Sequence, residues 1–348
     1  MSTRLELRDL TRRHRGQQVP ALNGLDLTVE AGACLALLGP SGSGKSTALR
    51  LIAGLDTPTR GTVLLDGDDV TNIPAEQRGI AMVFQRPLLF PHLSVIDNVA
   101  FAARAAGLSR RDSRAASRRY LELVQLGDYP DRSVADISGG QAQRVALARS
   151  LAAEPKVLLL DEPFSALDSA LRADMYAFLR AIRDELNPTI VLVTHDQSEA
   201  AVVADGIAVL IDGVLEHHSD VRTAYLRPST LAVHRLMGGL NEIPGSIASG
   251  VHHSELGSHA LPNDVSTPDG PATLVIRQEI VRLVEPSASS IIGTVESLQS
   301  TGIRQRACVR VGTSSVFVEL PPQANVTVGA GVGLELMTDA LHAINTQP

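Results

Sequence analysis

Apolar and polar positions change rhythm several times along this chain. Leu5 to Leu10 and Leu25 to Val29 read as strands, with Gly24 and Gly32 as turn signals. Cys34 to Leu38 is an unbroken apolar run, and Ala48 to Ala53 reads as the first turns of a helix. Gly61 to Gly67 and Ile80 to Phe84 are further short strands. From about Val95 to Ala153 the pattern turns helical and rich in Ala, Leu and Arg. Val157 to Leu160 and Ile190 to Val193 have no polar position, as expected for strands buried on both faces of a sheet, and Ala170 to Leu186 reads as a helix between them. Strands alternating with helices predict an α/β fold with a mainly parallel core sheet, and a helical subdomain over about 86–155 at its edge. Past Gly238-Gly239-Leu240-Asn241 the helical period fades. Arg306, Cys308 and Arg310 alternate with Ala307, Val309 and Val311, and Val316, Val318 and Leu320 recur at every second position. That pattern predicts a small β-rich domain, so the expected domains are 1–240 and 241–348.

Composition fits this picture. A length of 348 residues suggests two domains, and 44% apolar with 20% charged residues belongs to a soluble globular protein. No apolar run reaches the roughly 18 residues a membrane span needs, and the first residues lack the apolar core of a secretion signal. The net charge of −7 argues against a nucleic-acid partner. Cys34 and Cys308 are expected to be buried free thiols, in keeping with a reducing cytoplasm. Arg110, Arg111, Arg114, Arg118 and Arg119 have the spacing of a solvated helix face. Lys45 and Lys156 are the only lysines.

Lys45 stands in the most informative segment, Gly39-Pro40-Ser41-Gly42-Ser43-Gly44-Lys45-Ser46-Thr47, which fits the phosphate-loop pattern G-x-x-x-x-G-K-[ST]. An apolar strand precedes it and a helix follows, the context the pattern requires. Its glycines let backbone N–H groups wrap phosphates, and the helix start adds its positive end. Lys45 is expected to reach the β- and γ-phosphates and Ser46 to ligate Mg²⁺.

Leu160-Asp161-Glu162-Pro163 closes an apolar strand with two acids. Beside a phosphate loop, Asp161 can hold hydrated Mg²⁺ and Glu162 can orient or deprotonate an attacking water. Ser138-Gly139-Gly140-Gln141 opens a helix and makes a second anion cradle, or equally an ordinary capped helix start with Ser138 as the cap. One γ-phosphate fits between two such turns if they come from different subunits.

Taken in order, the phosphate loop, Ser138-Gly139-Gly140-Gln141 and Leu160-Asp161-Glu162-Pro163 resemble the ATP-binding cassette family over roughly residues 4–240. Gln85 matches its Q-loop glutamine, Ser165-Ala166-Leu167-Asp168 its D-loop, and Thr194-His195-Asp196 its switch-histidine region. The resemblance implies a head-to-tail dimer holding two ATP molecules. In it Gln85 contacts Mg²⁺ or the attacking water, His195 holds the γ-phosphate, and Asp168 acts across the dimer interface. Ile137 stands where the family usually has Leu. His14 occupies the place of the aromatic residue that stacks on adenine, and its smaller face predicts weaker stacking.

Asn241-Glu242-Ile243-Pro244-Gly245, Leu274 to Glu279 and Ile292-Gly293-Thr294-Val295 resemble the OB-like (TOBE) regulatory domain of importer ATPases, with Arg277-Gln278-Glu279 where many relatives have Arg-Pro-Glu. The resemblance implies an ATPase subunit on the cytoplasmic face of the inner membrane. Its partners are two transmembrane permease subunits and, indirectly, an extracytoplasmic substrate-binding protein. The apolar loop Arg86 to Leu93 would face the permease. The compact C-terminal domain leans toward an inorganic ion such as ferric iron, sulfate or molybdate. A sugar or polyamine importer is the alternative, and a soluble non-transport cassette ATPase the alternative class.

Overall fold

In a computed structural model of the chain, described for residues 2–165, 167–262, 268–287, 290–302 and 304–346, the polypeptide forms two compact units, Met1–Val221 and Arg222–Pro348.

The first unit contains two sheets. β1 (Leu5–Arg12), β2 (Leu22–Val29), β4 (Arg60–Leu65) and β5 (Asp68–Asp69) form an antiparallel sheet in the order β2-β1-β4-β5. The second has the order β10-β9-β3-β8-β7-β6, built from β3 (Cys34–Leu38), β6 (Ile80–Val83), β7 (Val157–Asp161), β8 (Thr189–Val193), β9 (Gly206–Ile211) and β10 (Val214–Asp220). Its strands run parallel except β10, which pairs antiparallel with β9. This is the expected parallel core, with two additions. The N-terminal strands make a sheet of their own, and β9 and β10 extend the core beyond the strands read from the sequence.

The core strands β3 and β8 are buried at every position, as their unbroken apolar runs require. One apolar cluster joins β1, β2 and α1 (Lys45–Ala53) to one face of the parallel sheet. Another joins the opposite face to α2 (Val95–Val99), α4 (Arg110–Leu123), α5 (Gly139–Leu151) and α6 (Ser169–Leu186). Between α2 and α4 lies α3 (Phe101–Ala105), and α7 (Gln197–Val203) follows β8.

The arginine run on α4 is a partial correction. Arg114 and Arg110 both grip Asp97, at 2.6 and 2.9 Å, and hold its carboxyl well below the usual carboxylate range. Arg119 pairs with Glu154. Asp97 thus ties α4 to α2 through Arg114 and Arg110, while Arg110, Arg111, Arg118 and Arg119 keep exposed side chains, as a solvated face requires.

The second unit is mostly β. α8 (Val221–Leu226) and α9 (Leu231–Leu236) lead into β11 (Asn241–Ala248), β12 (Val251–Ser254), β13 (Gly257–Ala260), β14 (Gly270–Ile276) and β15 (Val281–Val284). After them come β16 (Ile291–Thr301), β17 (Arg304–Val311), β18 (Ser314–Leu320), β19 (Gly331–Leu336) and β20 (His342–Asn345). Two antiparallel five-stranded sheets result, ordered β13-β12-β11-β14-β20 and β15-β19-β16-β17-β18, around one apolar cluster. The arrangement is consistent with an OB-like domain. Arg277 is buried and donates to the carbonyls of Tyr225 and Met237, with its guanidinium 3.9 Å from the Tyr225 ring centre. Its motif therefore ties the strand layer to the two short helices.

Cys34 is buried, and burial pushes its thiol up to about 12. Cys308 corrects the reading of two buried thiols. It is half-exposed, because Ala307 and Val309 take the inward positions of β17.

Candidate nucleotide site

The parallel register decides where the chemistry gathers. β6, β7, β8 and β3 are hydrogen-bonded neighbours with Val83 beside Leu160, Asp161 beside Val193, and Leu37 beside Val193. Their carboxyl ends therefore share one edge, and the segments leaving that edge carry Gln85, Asp161-Glu162, His195 and the phosphate loop.

The loop itself shows why glycines are needed. Gly39 has a φ of 155°, and a Cβ there would lie 2.1 Å from the Leu210 carbonyl oxygen. Gly44 has a φ of 101°, and its Cβ would lie 2.4 Å from the Ala21 oxygen. A side chain at either position would collide with neighbouring backbone and displace the loop. Gly44 precedes α1 without any side-chain cap on the first-turn amides. Lys45 lies folded into the loop and donates to the carbonyls of Gly39 and Pro40 at 2.7 and 2.8 Å. Burial lowers its pKa, while Glu162 and Asp161 oppose that shift.

Around this loop the polar groups converge. The Ser46 hydroxyl lies 3.4 Å from Asp161 Oδ1. Asp161 has a raised pKa, from burial first and from the neighbouring Glu162 second. The Gln85 amide donates to Glu162 Oε2 at 3.1 Å and to the Ser165 hydroxyl at 3.3 Å. His195 Nδ1 lies 3.5 Å from the same Glu162 oxygen. Glu162 has a φ of 44°, and its N–H donates to the Val193 carbonyl at 3.0 Å. A left-handed glutamate is uncommon and strained, and here it re-aims the carboxylate after the strand ends.

A hydroxyl and a single carboxylate, with room left for phosphate and water oxygens, suit Mg²⁺ and its oxygen-only coordination. Among the described residues no cluster of three His, Cys, Asp or Glu side chains is placed to hold a metal. Ser46 and Asp161 would hold the ion, which supplies charge neutralisation at the phosphates when bound.

Other residues singled out in the sequence lie apart from this hydrogen-bonded cluster. Ser138 caps α5: its hydroxyl accepts from Gln141 N–H, and the Gln141 side chain accepts from Ser138 N–H at 3.0 Å. Gly139 and Gly140 form the first turn of that helix. Asp168 caps α6 by accepting from the amides of Ala170 and Leu171. Ala166 of the D-loop segment is outside the described residues. His14 is half-buried in the β1–β2 connection, where its carbonyl accepts from Gln17 N–H at 3.1 Å. Sequence reasoning missed Ser165 as a partner of Gln85, and it missed Arg172 and Glu199 behind His195. The spacing of Glu199 four residues after His195 was the available signal.

Fold and site together define a P-loop ATPase of the cassette type. The family model described as ABC transporter matches residues 22–165. The chain is 38% identical over 331 residues to the Fe(3+) ions import ATP-binding protein FbpC of Brucella abortus, covering 93% of this chain and 94% of that one. It is 40% identical over 327 residues to the sulfate/thiosulfate import ATP-binding protein CysA of Rhodopseudomonas palustris, covering 90% and 92%. Among solved structures, a dimeric post-hydrolysis state of the ATP-binding cassette MJ0796 bound to ADP and Pi superposes with a TM-score of 0.57. The two are 32% identical, with 63% of this chain and 99% of that one covered. This chain belongs to the ABC transporter family, as an ATPase subunit.

Proposed function

We propose that the chain powers import of an inorganic ion, in the chemical range of ferric iron, sulfate or thiosulfate. It works as a head-to-tail homodimer on the cytoplasmic face of the membrane, bound to two permease subunits. An extracytoplasmic binding protein selects the ion and delivers it from the other side. No helix among the described residues is long and apolar enough to cross a membrane, so transport in this reading runs through separate subunits.

The convergence of Lys45, Ser46, Asp161, Glu162, Gln85 and His195 at one sheet edge carries the chemical part. Lys45 and the loop amides bind the phosphates. Glu162, positioned by the Gln85 amide, accepts a proton from water as the water oxygen bonds to the γ-phosphorus. The bond to the β–γ bridging oxygen breaks, giving ADP and phosphate. His195 holds the γ-phosphate oxygens as charge shifts. The Ser138-Gly139-Gly140-Gln141 turn of the second subunit closes over the same phosphate, and the His14 ring lies against adenine.

Support for import comes from the ferric-iron and sulfate import relatives, which align over both units. The segment Arg86 to Leu93 offers a permease-facing surface. Leu88 is exposed, Phe90 stacks on Phe101 at 4.5 Å, and Arg149 braces the loop through the carbonyls of Leu88 and Pro87. Purification of the full-length chain from detergent-solubilised membranes should bring down two integral membrane subunits. Its ATPase rate should rise with the cognate binding protein loaded with ferric ion or with sulfate. Stimulation only by a sugar- or polyamine-loaded receptor would overturn the substrate class. Recovery without any membrane subunit would overturn the transport reading.

A further inference from the structure

His195 is 63% exposed, so side-chain packing does little to fix its aim. The turn beneath it is built differently. Glu199 on α7 is 4% exposed, and its carboxylate accepts the hydroxyl of Thr194, the residue before His195. Thr194 Oγ1 in turn accepts the Asp196 N–H at 2.9 Å. Thr194 is thus fastened to a buried carboxylate, and Asp196 is fastened to Thr194, so the turn carrying His195 is held on both sides. A buried carboxylate is costly unless it is well partnered, and burial raises the Glu199 pKa.

The charged partner comes from α6. Arg172 lies 3.4 Å from Asp196 Oδ2 and 4.0 Å from Glu199 Oε1. The same guanidinium donates to the Leu167 carbonyl at 3.3 Å, in the turn that ends at Asp168. One helical turn further on along α6, Tyr176 sets its ring edge-on against Phe164, with centres 5.0 Å apart. Phe164 is buried two residues after Glu162. Arg172 thus joins the turns bearing Asp168 and His195, and Tyr176 on the same helix packs against Phe164 beside the Glu162 turn.

We infer that Arg172 and Glu199 are positioning residues that set where His195 points relative to Glu162 and Asp168. Arg172 is the tie between the His195 turn and the Asp168 turn, and Glu199 is the anchor under His195. Neither touches nucleotide. A displacement of His195 by about 1 Å is enough to slow phosphoryl transfer strongly. The inference rests on the γ-phosphate role proposed above for His195.

The test is steady-state Mg-ATP hydrolysis by the full-length chain. Arg172→Met should lower kcat about tenfold or more, with KM changed by no more than about twofold. Arg172→Lys, which can reach Asp196 but not the Leu167 carbonyl as well, should recover part of that loss. Glu199→Gln should lower kcat without lowering ATP affinity, and with Arg172→Lys it carries the test if Arg172→Met does not fold. In a His195→Ala background, Arg172→Met should cost nothing further, because both changes remove the same contribution. Multiplying losses in that double variant would overturn the inference, as would full kcat in Arg172→Met. A loss confined to thermal stability, with kcat per folded molecule intact, would overturn it too. Full activity in His195→Ala alone would instead overturn the role given to His195.

Discussion

Two helices of the first unit begin on glycine-containing turns, and they begin in opposite ways. α1 starts from Gly44 with no side chain on its first-turn amides, while α5 starts from Ser138 with a closed capping box. Gly in place of a capping side chain costs a helix only about a few tenths of a kcal/mol, so α1 leaves its donors available at little loss of local stability. α5 satisfies the Ser138 and Gln141 amides through its capping box, while the Gly139 and Gly140 amides of its first turn make no intrahelical bond. The open turn can grip an anion, and the closed turn can cover one already gripped. Titratable groups follow the same division. Lys45, Asp161 and Glu162 act on one another electrostatically beside the open turn, whereas the α5 turn is made of neutral residues.

The largest test of this contrast is Glu162→Gln. If chemistry belongs to the open turn's surroundings, single-turnover hydrolysis should fall about 10²–10⁴-fold while ATP binding survives. Loss of binding equal to that of Lys45→Ala would break the assignment. Complementation comes next. Lys45→Ala and Ser138→Arg homodimers should each be inactive, since every composite site carries one defect. Mixing them should restore hydrolysis through the one intact site of the heterodimer, and a mixture as inactive as its parents would show that the two turns do not share a nucleotide.

A smaller effect is expected at the base. His14→Tyr should tighten ATP binding in a calorimetric titration by part of the about 1–3 kcal/mol that full base stacking on an aromatic ring is worth. Unchanged affinity would move adenine recognition elsewhere. The smallest effects concern the nucleotide-free fold. Ser138→Ala should lower stability by about 1 kcal/mol in denaturant unfolding, whereas a purely ligand-binding serine would leave it unchanged. Asp161→Asn should raise the thermal midpoint without nucleotide. Because the Asp161 pKa is raised in the folded state, its ionisation costs stability as pH climbs from the ordinary carboxylate value through the raised one. The stabilisation by Asn should therefore appear above that window and vanish below it.

The nucleotide loop was legible because its residues are contiguous and act through backbone. Asp161 and Glu162 were legible because they end an apolar strand. Pairing was less accessible. β2 is buried mainly on one side while β1 and β4 each have three consecutive buried residues, and nothing in these sequences says that the strands join each other and not the parallel sheet. β10 is a mostly half-exposed edge strand containing Glu216, His217 and His218, without clean alternation. Cys308 was misread although the alternation of β17 already set it on the face of Arg306 and Arg310. Arg172 looks like an ordinary polar position of an amphipathic helix, and only the fold brings it to the His195 turn.

The folded-in position of Lys45 has a practical consequence. With Lys156 exposed and no third lysine in the chain, amine-directed acylation has two side-chain targets of opposite accessibility. Lys156 reports how much reagent the protein met, and Lys45 reports whether the loop let it in. The ratio of the two modified peptides by mass spectrometry would read loop occupancy directly, in membranes as well as in solution, without an engineered label.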